Sequence, residues 1–379
     1  VSAASDAQLT REILARLRAD NFALVGICDA RAIERQSYFQ QWLADGHHGE
    51  MQYLAQHFSQ RMDPTVLVPE ARSVICVADR YSDGRADHRV IDGLPRGRIA
   101  RYARGRDYHR VLRDRLEPLA NELRRRFPGE RFRVCVDTAP IAEREHALRA
   151  GLGRIGKHTL LIGEQGMGSW LLLGEIVTTM HLQPSEANTS DPCGSCTRCI
   201  DACPTQAIEP WKLNAERCIS YLTIEHQGAA AAWFHQRTDD WLFGCDACIE
   251  ACPHSQFTHK SRGAAPSSAY ASTHASFALE EVLAWNPEDP AYQGLSTILR
   301  RSEISTWKRN ALLLLQSLPA SRVTQSLRES IQACATDTYL SQSTRDIAGA
   351  WLRADSQSRE GWWCRSRIRS RFCHWIGWR

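Results

Sequence analysis

Cys193-Gly194-Ser195-Cys196-Thr197-Arg198-Cys199-Ile200-Asp201-Ala202-Cys203-Pro204 opens the stretch that decides how this chain is built. A lone Cys218 follows, and then Cys245-Asp246-Ala247-Cys248-Ile249-Glu250-Ala251-Cys252-Pro253. The first run has the spacing of bacterial [4Fe–4S] sites at all four cysteines and at the closing proline. Two-residue gaps let one tight loop wrap three corners of a cluster. The fourth thiolate, beyond a three-residue gap, reaches the other cluster. The second run lacks its first cysteine, and Cys218 is the substitute. On this pairing Cys193, Cys196, Cys199 and Cys252 hold one cluster, and Cys203, Cys218, Cys245 and Cys248 hold the other.

Isolated Cys-x-x-Cys pairs are usually zinc ligands. The triple run and the two Cys-Pro endings point to iron and sulfide instead. Disulfides fit less well still, because closely spaced thiols suit a reducing compartment. The start of the chain, Val1-Ser2-Ala3-Ala4, has neither the basic residue nor the apolar core of an export leader, so a cytoplasmic protein is expected. Of the fourteen cysteines, six lie outside the two runs and Cys218. Cys28, Cys76 and Cys135 stand in apolar runs and read as small core residues, while Cys334, Cys364 and Cys373 are scattered. The net charge of +4 over 379 residues makes the molecule mildly basic, with room for two or three cored units. No apolar run reaches about 18 residues, so no membrane span is expected.

Before the cysteines, residues 6–20 carry Leu9, Ile13, Leu14 and Leu17 on one helical face. Apolar runs at 22–28, 73–78, 131–137, 159–162 and 169–180 read as strands, and residues 31–58, 107–127 and about 140–150 as helices. Pro118 is a candidate kink. Residues 1–182 therefore read as a mixed α/β, or α+β, unit. A ferredoxin-like two-cluster domain follows over 183–260. Residues 277–355 show helical spacing, as in Leu295, Ile298 and Leu299, and resemble an α-helical, HEAT-like repeat. Residues 356–379 form a basic, tryptophan-rich tail.

Gly151-x-Gly153-x-x-Gly156-Lys157 satisfies the dinucleotide fingerprint by letter alone. A phosphate loop needs a strand before it and a helix after it. Here a helix precedes and a strand follows. The glycines instead allow a tight turn, or a close approach to a flat ligand.

Several motifs stand in a fixed order: Arg101-Tyr102-Ala103-x-Gly105-x-Asp107-Tyr108-His109, Asp137-Thr138-Ala139-Pro140-Ile141-x-Glu143-Arg144, the glycine run above, Gly168-Ser169-Trp170-x-x-x-Gly174-Glu175, and Cys218-Ile219-Ser220-Tyr221-Leu222-Thr223-Ile224-Glu225. With the cysteine array, this order resembles the epoxyqueuosine reductases over about residues 6–330. The resemblance implies an oxidoreductase of queuosine biosynthesis. Its substrate is transfer RNA carrying epoxyqueuosine at the wobble position (34), and reduction to queuosine is the last step. It implies cobalamin beside the two [4Fe–4S] clusters, an electron donor of unidentified kind, and no membrane. A monomer is expected.

The same resemblance assigns Asp137 as the proton donor and as a cofactor neighbour. It places Arg61, Arg101, Lys157, Ser169, Ser220, Asp246 and Ala247 at the cobalamin. A carboxyl donates near neutral pH when burial raises its pKa, and Val134-Cys135-Val136 leads Asp137 toward such a setting. From the residues alone, Asp137 or Thr138 reads rather as the cap of a helix opening near Pro140. Arg98–Arg106 with Tyr102 and Tyr108, and Arg300, Arg301, Lys308 and Arg309 beside Trp307, mix cations with stacking groups, as RNA-binding surfaces do. Rival readings are a cobalamin-dependent reductive dehalogenase, a ferredoxin-like electron carrier without catalysis, and a helical RNA-binding protein with structural clusters.

Overall fold

The computed structural model describes residues 3–87, 92–231, 233–256, 265–316, 318 and 322–356. Helix α1 (Ala3–Ala19) turns Ile13 and Leu17 into the core. Strand β1 (Leu24–Asp29) and helix α2 (Gln36–Ala44) follow. The helical stretch expected over 31–58 is broken after α2. Gly46 and Gly49 take φ of 72° and 56°, a conformation that ends helices. Three short helices come next, α3 (Tyr53–Gln56), α4 (Phe58–Met62) and α5 (Pro64–Leu67).

Strand β2 (Ser73–Arg80) is buried along its whole length. Then come β3 (Arg96–Ile99), α6 (Tyr108–Arg126), β4 (Phe132–Cys135), α7 (Glu143–Arg149), β5 (Gly153–Ile155), β6 (Leu161–Gly163) and β7 (Leu171–Thr178). Strands β1, β2, β7 and β4 form an antiparallel sheet in that order. Ile27, Ile75, Val77 and Ile176 on one face meet the apolar sides of α1 and α6. Val74, Cys76, Cys135 and Val177 on the other meet Ala147 of α7. Because both faces are covered, β2 reads as an uninterrupted apolar run. The register sets Cys76 opposite Glu175 on one side and Cys135 opposite the same Glu175 on the other. One row of the sheet therefore carries a carboxyl between two thiols.

The cysteine-bearing segment holds α8 (Arg198–Asp201), β8 (Ile208–Glu209), β9 (Lys212–Leu213), α9 (Ile219–Ile224), β10 (Trp241–Phe243) and α10 (Ala247–Ala251). Strand β10 pairs with one edge of β3, and β11 (Ser276–Ala278) pairs with the other. This small sheet laces together the three regions that composition separates. The basic segment that begins at Arg96 is thus a central strand followed by a tight turn at Arg101–Ala103.

The C-terminal part contains α11 (Leu279–Ala284), α12 (Pro290–Gln293), α13 (Ile304–Leu315), α14 (Gln325–Thr336) and α15 (Gln342–Ser356). Helix α13 is buried from Thr306 to Leu315. Trp307 on it stacks on Phe243 of β10 at 5.1 Å and meets Trp285 edge-on at 5.4 Å. The helices are therefore fixed to the cysteine segment by an aromatic core. The tail expected over 356–379 lies outside the described residues, apart from Ser356, which ends α15.

Candidate active site

Strand β4 leads Cys135 and Val136 into the core, and the chain turns at Asp137. Asp137 has φ of 49°, a left-handed conformation that costs a side-chain-bearing residue about 1–2 kcal/mol. Two contacts hold it there. Its N–H donates to the Glu143 carboxyl at 2.5 Å. Its Oδ2 lies 2.9 Å from Nε2 of His109. The other ring nitrogen of His109 lies 2.8 Å from Oδ1 of Asp107. Asp107 also caps α6 by accepting the His109 N–H. One helix start thus aims an imidazole at Asp137 and fixes its far side. Tyr108 stacks on that ring at 4.0 Å. Helix α7 begins only at Glu143, behind Ala142 and with no side-chain cap, so neither Asp137 nor Thr138 is a helix cap.

The charges around Asp137 oppose one another. Crowding by neighbours raises its pKa, but hydrogen bonds from His109 and Tyr108 and the charge of Arg301 outweigh this, and the carboxyl lies below its ordinary range. The sequence pointed the other way, to a rise from burial, because the partners of Asp137 are distant in sequence. Burial lowers the pKa of His109, yet Asp137 and Asp107 together carry it above the ordinary imidazole value. Burial, with Glu175 and Asp137 nearby, drives Glu143 well above the carboxylate range. Two carboxyls on one loop are pushed apart, the pattern that divides acid and base roles.

The thiols outside the sheet fall into two groups. Burial raises Cys199, with Cys252 and Cys193 adding to the rise. Cys252 in turn feels burial and Cys193. Cys218 is raised by burial and by Cys203, and Cys245 by burial, Cys218 and Cys248. Cys248 feels burial and then Cys218, Asp246, Cys203 and, least, Cys199. Cys252 thus feels a thiol of the first run, and Cys218 and Cys248 feel Cys203, while the two groups adjoin. Cys196 lies on the first loop, where its N–H donates to the Cys193 carbonyl at 2.9 Å. Peptide N–H groups point at sulfur: Lys157 at Cys193 (3.4 Å) and Ala207 at Cys203 (3.3 Å). Such donors favour thiolates. Among the described residues no three His, Cys, Asp or Glu side chains are drawn up as ligands of a single ion.

The other expected site residues do not all gather at one place. Asp246 is buried, accepts the Arg101 N–H at 2.7 Å, and is pushed up to about 6 by burial. Tyr102, next to Arg101, meets Tyr108 edge-on at 6.2 Å, so one turn links the residues around Asp137 to Asp246 and the second thiol group. Ala247 opens α10 beside it. Arg101 lies over the Trp170 ring at 4.7 Å and binds Ser82, Asp87 and Glu250. Arg61 donates to the Ile141 carbonyl at 3.2 Å. The Nε of Arg61 and the Nε of Arg101 are buried without an acceptor. Ser169 donates its N–H to Ser255, and Ser220 turns its carbonyl to Thr223. Lys157 departs from the expectation. Its ammonium donates to the carbonyls of Gly194 (2.7 Å) and Cys196 (3.1 Å), on the loop of the first thiol group.

The glycines before Lys157 serve the protein's own packing. A Cβ on Gly151 would meet the Glu186 carbonyl, and one on Gly153 the Ile162 carbonyl. Much of each basic cluster is likewise spent internally, although Arg106 and Arg300 are exposed. Arg98 binds Asp240 and Glu250, Arg104 binds Asp87, and Tyr108 is buried. Trp307, Lys308 and Arg309 are buried too, and Arg309 donates to the carbonyls of Leu222, His226 and Gly228. Those cations carry no RNA surface. Arg301 differs: it is 44 % exposed, binds Glu225 at 2.6 Å, and faces Tyr53 and Asp137. Sequence reasoning missed the roles of His109, Glu143 and Arg301. The one available signal was Asp107-Tyr108-His109 at a helix start.

Comparison with known proteins gives consistent results. The family model described as epoxyqueuosine reductase QueG, DUF1730, matches residues 61–138, and that of a 4Fe-4S double cluster binding domain matches residues 192–255. An epoxyqueuosine reductase of Xanthomonas campestris is 40% identical over 309 residues, 80% of this chain and 85% of the relative. One from Shewanella oneidensis is 34% identical over 93% of this chain and 90% of its own length. A crystal structure of epoxyqueuosine reductase with an epoxyqueuosine-modified tRNA-Tyr stem loop superposes with a TM-score of 0.77, at 27% identity, over 90% of this chain and 88% of that one.

Proposed function

The chain belongs to the epoxyqueuosine reductase family, and from that premise we propose that the Asp137 pocket is where the epoxide of epoxyqueuosine, at the wobble position of transfer RNA, is opened to give queuosine. Removing the epoxide oxygen breaks two C–O bonds, forms one C=C bond and releases water, which takes two electrons and two protons. The carrying observation is the line of contacts from Asp137 through His109, Tyr108 and Tyr102 to Arg101, whose N–H binds Asp246 between Cys245 and Cys248. A proton-bearing group and an electron source then border one pocket.

Cys193, Cys196, Cys199 and Cys252 are the ligands of the first [4Fe–4S] cluster in this reading. Cys203, Cys218, Cys245 and Cys248 are those of the second. The donor set fits: thiols in two groups, with peptide N–H groups aimed at sulfur. The residues also fit a corrin. The buried, unsatisfied Nε–H groups of Arg61 and Arg101 want acceptors, which its amide side chains offer. Arg61, Arg101, Ser169, Ser220, Asp246 and Ala247 would hold it. Bound cobalamin supplies the two-electron nucleophile that one-electron clusters lack.

The protein's own contribution is orientation and proton supply. Asp137 is held at the mouth by Glu143 and His109 and gives a proton to the departing oxygen. Tyr53, 39% exposed, and Arg301 flank it. An aromatic face and a cation beside the acid suit an unstacked base and its phosphate. The test is anaerobic reconstitution with iron, sulfide and cobalamin, then incubation with an epoxyqueuosine stem loop and a low-potential reductant. Mass spectrometry should show loss of one oxygen from the nucleoside. No conversion by the reconstituted chain, or full conversion by Asp137→Asn, overturns the reading.

A further inference from the structure

The reaction consumes two protons per turnover, and the Asp137 carboxyl, held below its ordinary range, must be supplied with them. The contact geometry shows where the supply resides. Asp107, an N-cap carboxylate, accepts from the His109 peptide N–H and lies 2.8 Å from Nδ1 of the same residue. A carboxylate offers only lone pairs, so Nδ1 carries a hydrogen. Nε2 then faces Asp137 Oδ2 at 2.9 Å, and that contact needs a proton between the two atoms. We propose that His109 is the proton store of Asp137: its imidazolium passes the Nε2 proton to the Asp137 carboxylate, which gives it to the departing oxygen, and the ring, reprotonated from solvent, passes the second by the same path. This rests on the substrate reading above and extends it.

The step balances. At rest Asp137 is a carboxylate, His109 is an imidazolium, and Asp107 is a second counter-charge. Asp137 receives the Nε2 proton at Oδ2 and releases it to the substrate oxygen; the ring takes a proton from solvent, and the transfer repeats once. With two electrons from the clusters, the epoxide becomes an alkene and water. After each transfer the pair is a carboxylate facing a bare Nε2, lone pair against lone pair, and that repulsion drives reprotonation from solvent. His109 acts through Asp137 and is a positioning residue in this sense. It retains 21% side-chain exposure, and Tyr108 stacked on it keeps the ring from turning away.

Other charges bear on the pair. Besides each other, His109 feels Asp107. Asp137 faces the acids Tyr108, Tyr102, Tyr53 and Glu143 and the cations Arg61, Arg144 and Arg301. Asp107 and Asp137 prevail at His109, whose pKa is raised.

The experiment has two arms. In the full chain, NMR of histidine ring protons should show one imidazole, absent in His109→Gln, titrating above the ordinary value of about 6.5. It should fall back toward that value in Asp107→Asn and in Asp137→Asn. In the reconstituted enzyme, kcat on the epoxyqueuosine stem loop should decline as pH rises through the His109 titration. Asp107→Asn should move that limb to lower pH. His109→Gln should abolish it and lower kcat about tenfold or more, with KM within about twofold. Should His109→Gln fail to fold, Asp107→Asn still tests the store, because it leaves the imidazole in place and changes only its titration. Wild-type kcat and an unchanged limb in His109→Gln, or an unperturbed His109 titration, overturn the store. Wild-type enzyme that titrates as described but never converts the stem loop overturns the substrate reading, and the store falls with it.

Discussion

The peptide N–H of Asp137 donates to the carboxyl of Glu143 at 2.5 Å, across a loop that carries Asp137 at φ of 49°. The conformation is unfavourable for any L side chain and persists because something outside the loop holds it. Glu143→Gln keeps an acceptor oxygen at that place and should retain most activity. Glu143→Ala removes it, and kcat should fall about tenfold or more while affinity for the stem loop changes little. Asp137→Asn tolerates the same backbone but has no acid, and should lose roughly 10²–10⁴ in kcat. Stopped-time assays with stem-loop binding in parallel separate these effects. Equal rates in Glu143→Ala and wild type would show that the loop holds itself.

Lys157 sets an ammonium on the carbonyls of Gly194 and Cys196, within the first thiol loop. A buried cation favours the more negative, reduced form of a nearby cluster. Lys157→Met should lower the first cluster's reduction potential by about 59 mV, tenfold in the one-electron equilibrium. Lys157→Arg should restore most of it, and the second cluster should not move. Potentiometric titration followed by electron paramagnetic resonance reads both clusters in one sample. A shift in the second cluster alone would place Lys157 elsewhere.

The proposed crossing of ligands gives a sharper outcome. Cys203 sits in the first run but groups with Cys218 and Cys248, while Cys252 sits in the second and groups with Cys193 and Cys199. Cys203→Ala should therefore remove the second cluster, and Cys252→Ala the first. Each should leave about half of the ~8 irons that two complete clusters hold. Spectra identify the surviving cluster. A first cluster lost on Cys203→Ala would mean that each run serves its own cluster.

How much of this was legible in the sequence follows from range. The cysteine runs are local, and their spacing carries the ligand chemistry with it. Strands such as β2 are legible because burial on both faces leaves an unbroken apolar run. The role of β3 was hidden: Arg96-Gly97-Arg98-Ile99 looks like a solvated basic loop until Asp240 and Glu250 arrive from elsewhere to neutralise Arg98. Arg309 misled for a related reason: the carbonyls that take its N–H groups, Leu222, His226 and Gly228, are distant in the chain. The downward shift of Asp137 depends on His109, 28 residues back in the chain, and on Arg301 from the helical region. No short window around Asp137 contains either. Gly46 and Gly49, which break the helix expected over 31–58, stand in plain view, but a helix tolerates an isolated glycine and the letters alone do not show a positive φ.

His146 and Glu175 meet at 2.9 Å with essentially no solvent exposure. The pair pins α7, whose first residue is Glu143, to the centre of the sheet. Burial lowers the pKa of His146, but Glu175 outweighs it, with Cys28 and Glu145 adding, and raises it to about 9. Because the folded value lies above the unfolded one, the stabilisation is complete below about pH 6.5 and is lost as pH rises through about 9. Its size is on the order of 3 kcal/mol, reduced by the desolvation of the His146 Nε2, which is buried without an acceptor. Wild-type protein should therefore unfold at lower denaturant at about pH 9.5 than at about pH 6.5. His146→Gln should be less stable at the lower pH, by about 3–5 kcal/mol if Glu175 is left charged and alone, and should lose most of this pH dependence. Paired unfolding curves at the two pH values decide it. A wild-type midpoint that holds steady between them would mean that the pair shares a proton without net charge, and that α7 is held by its apolar contacts.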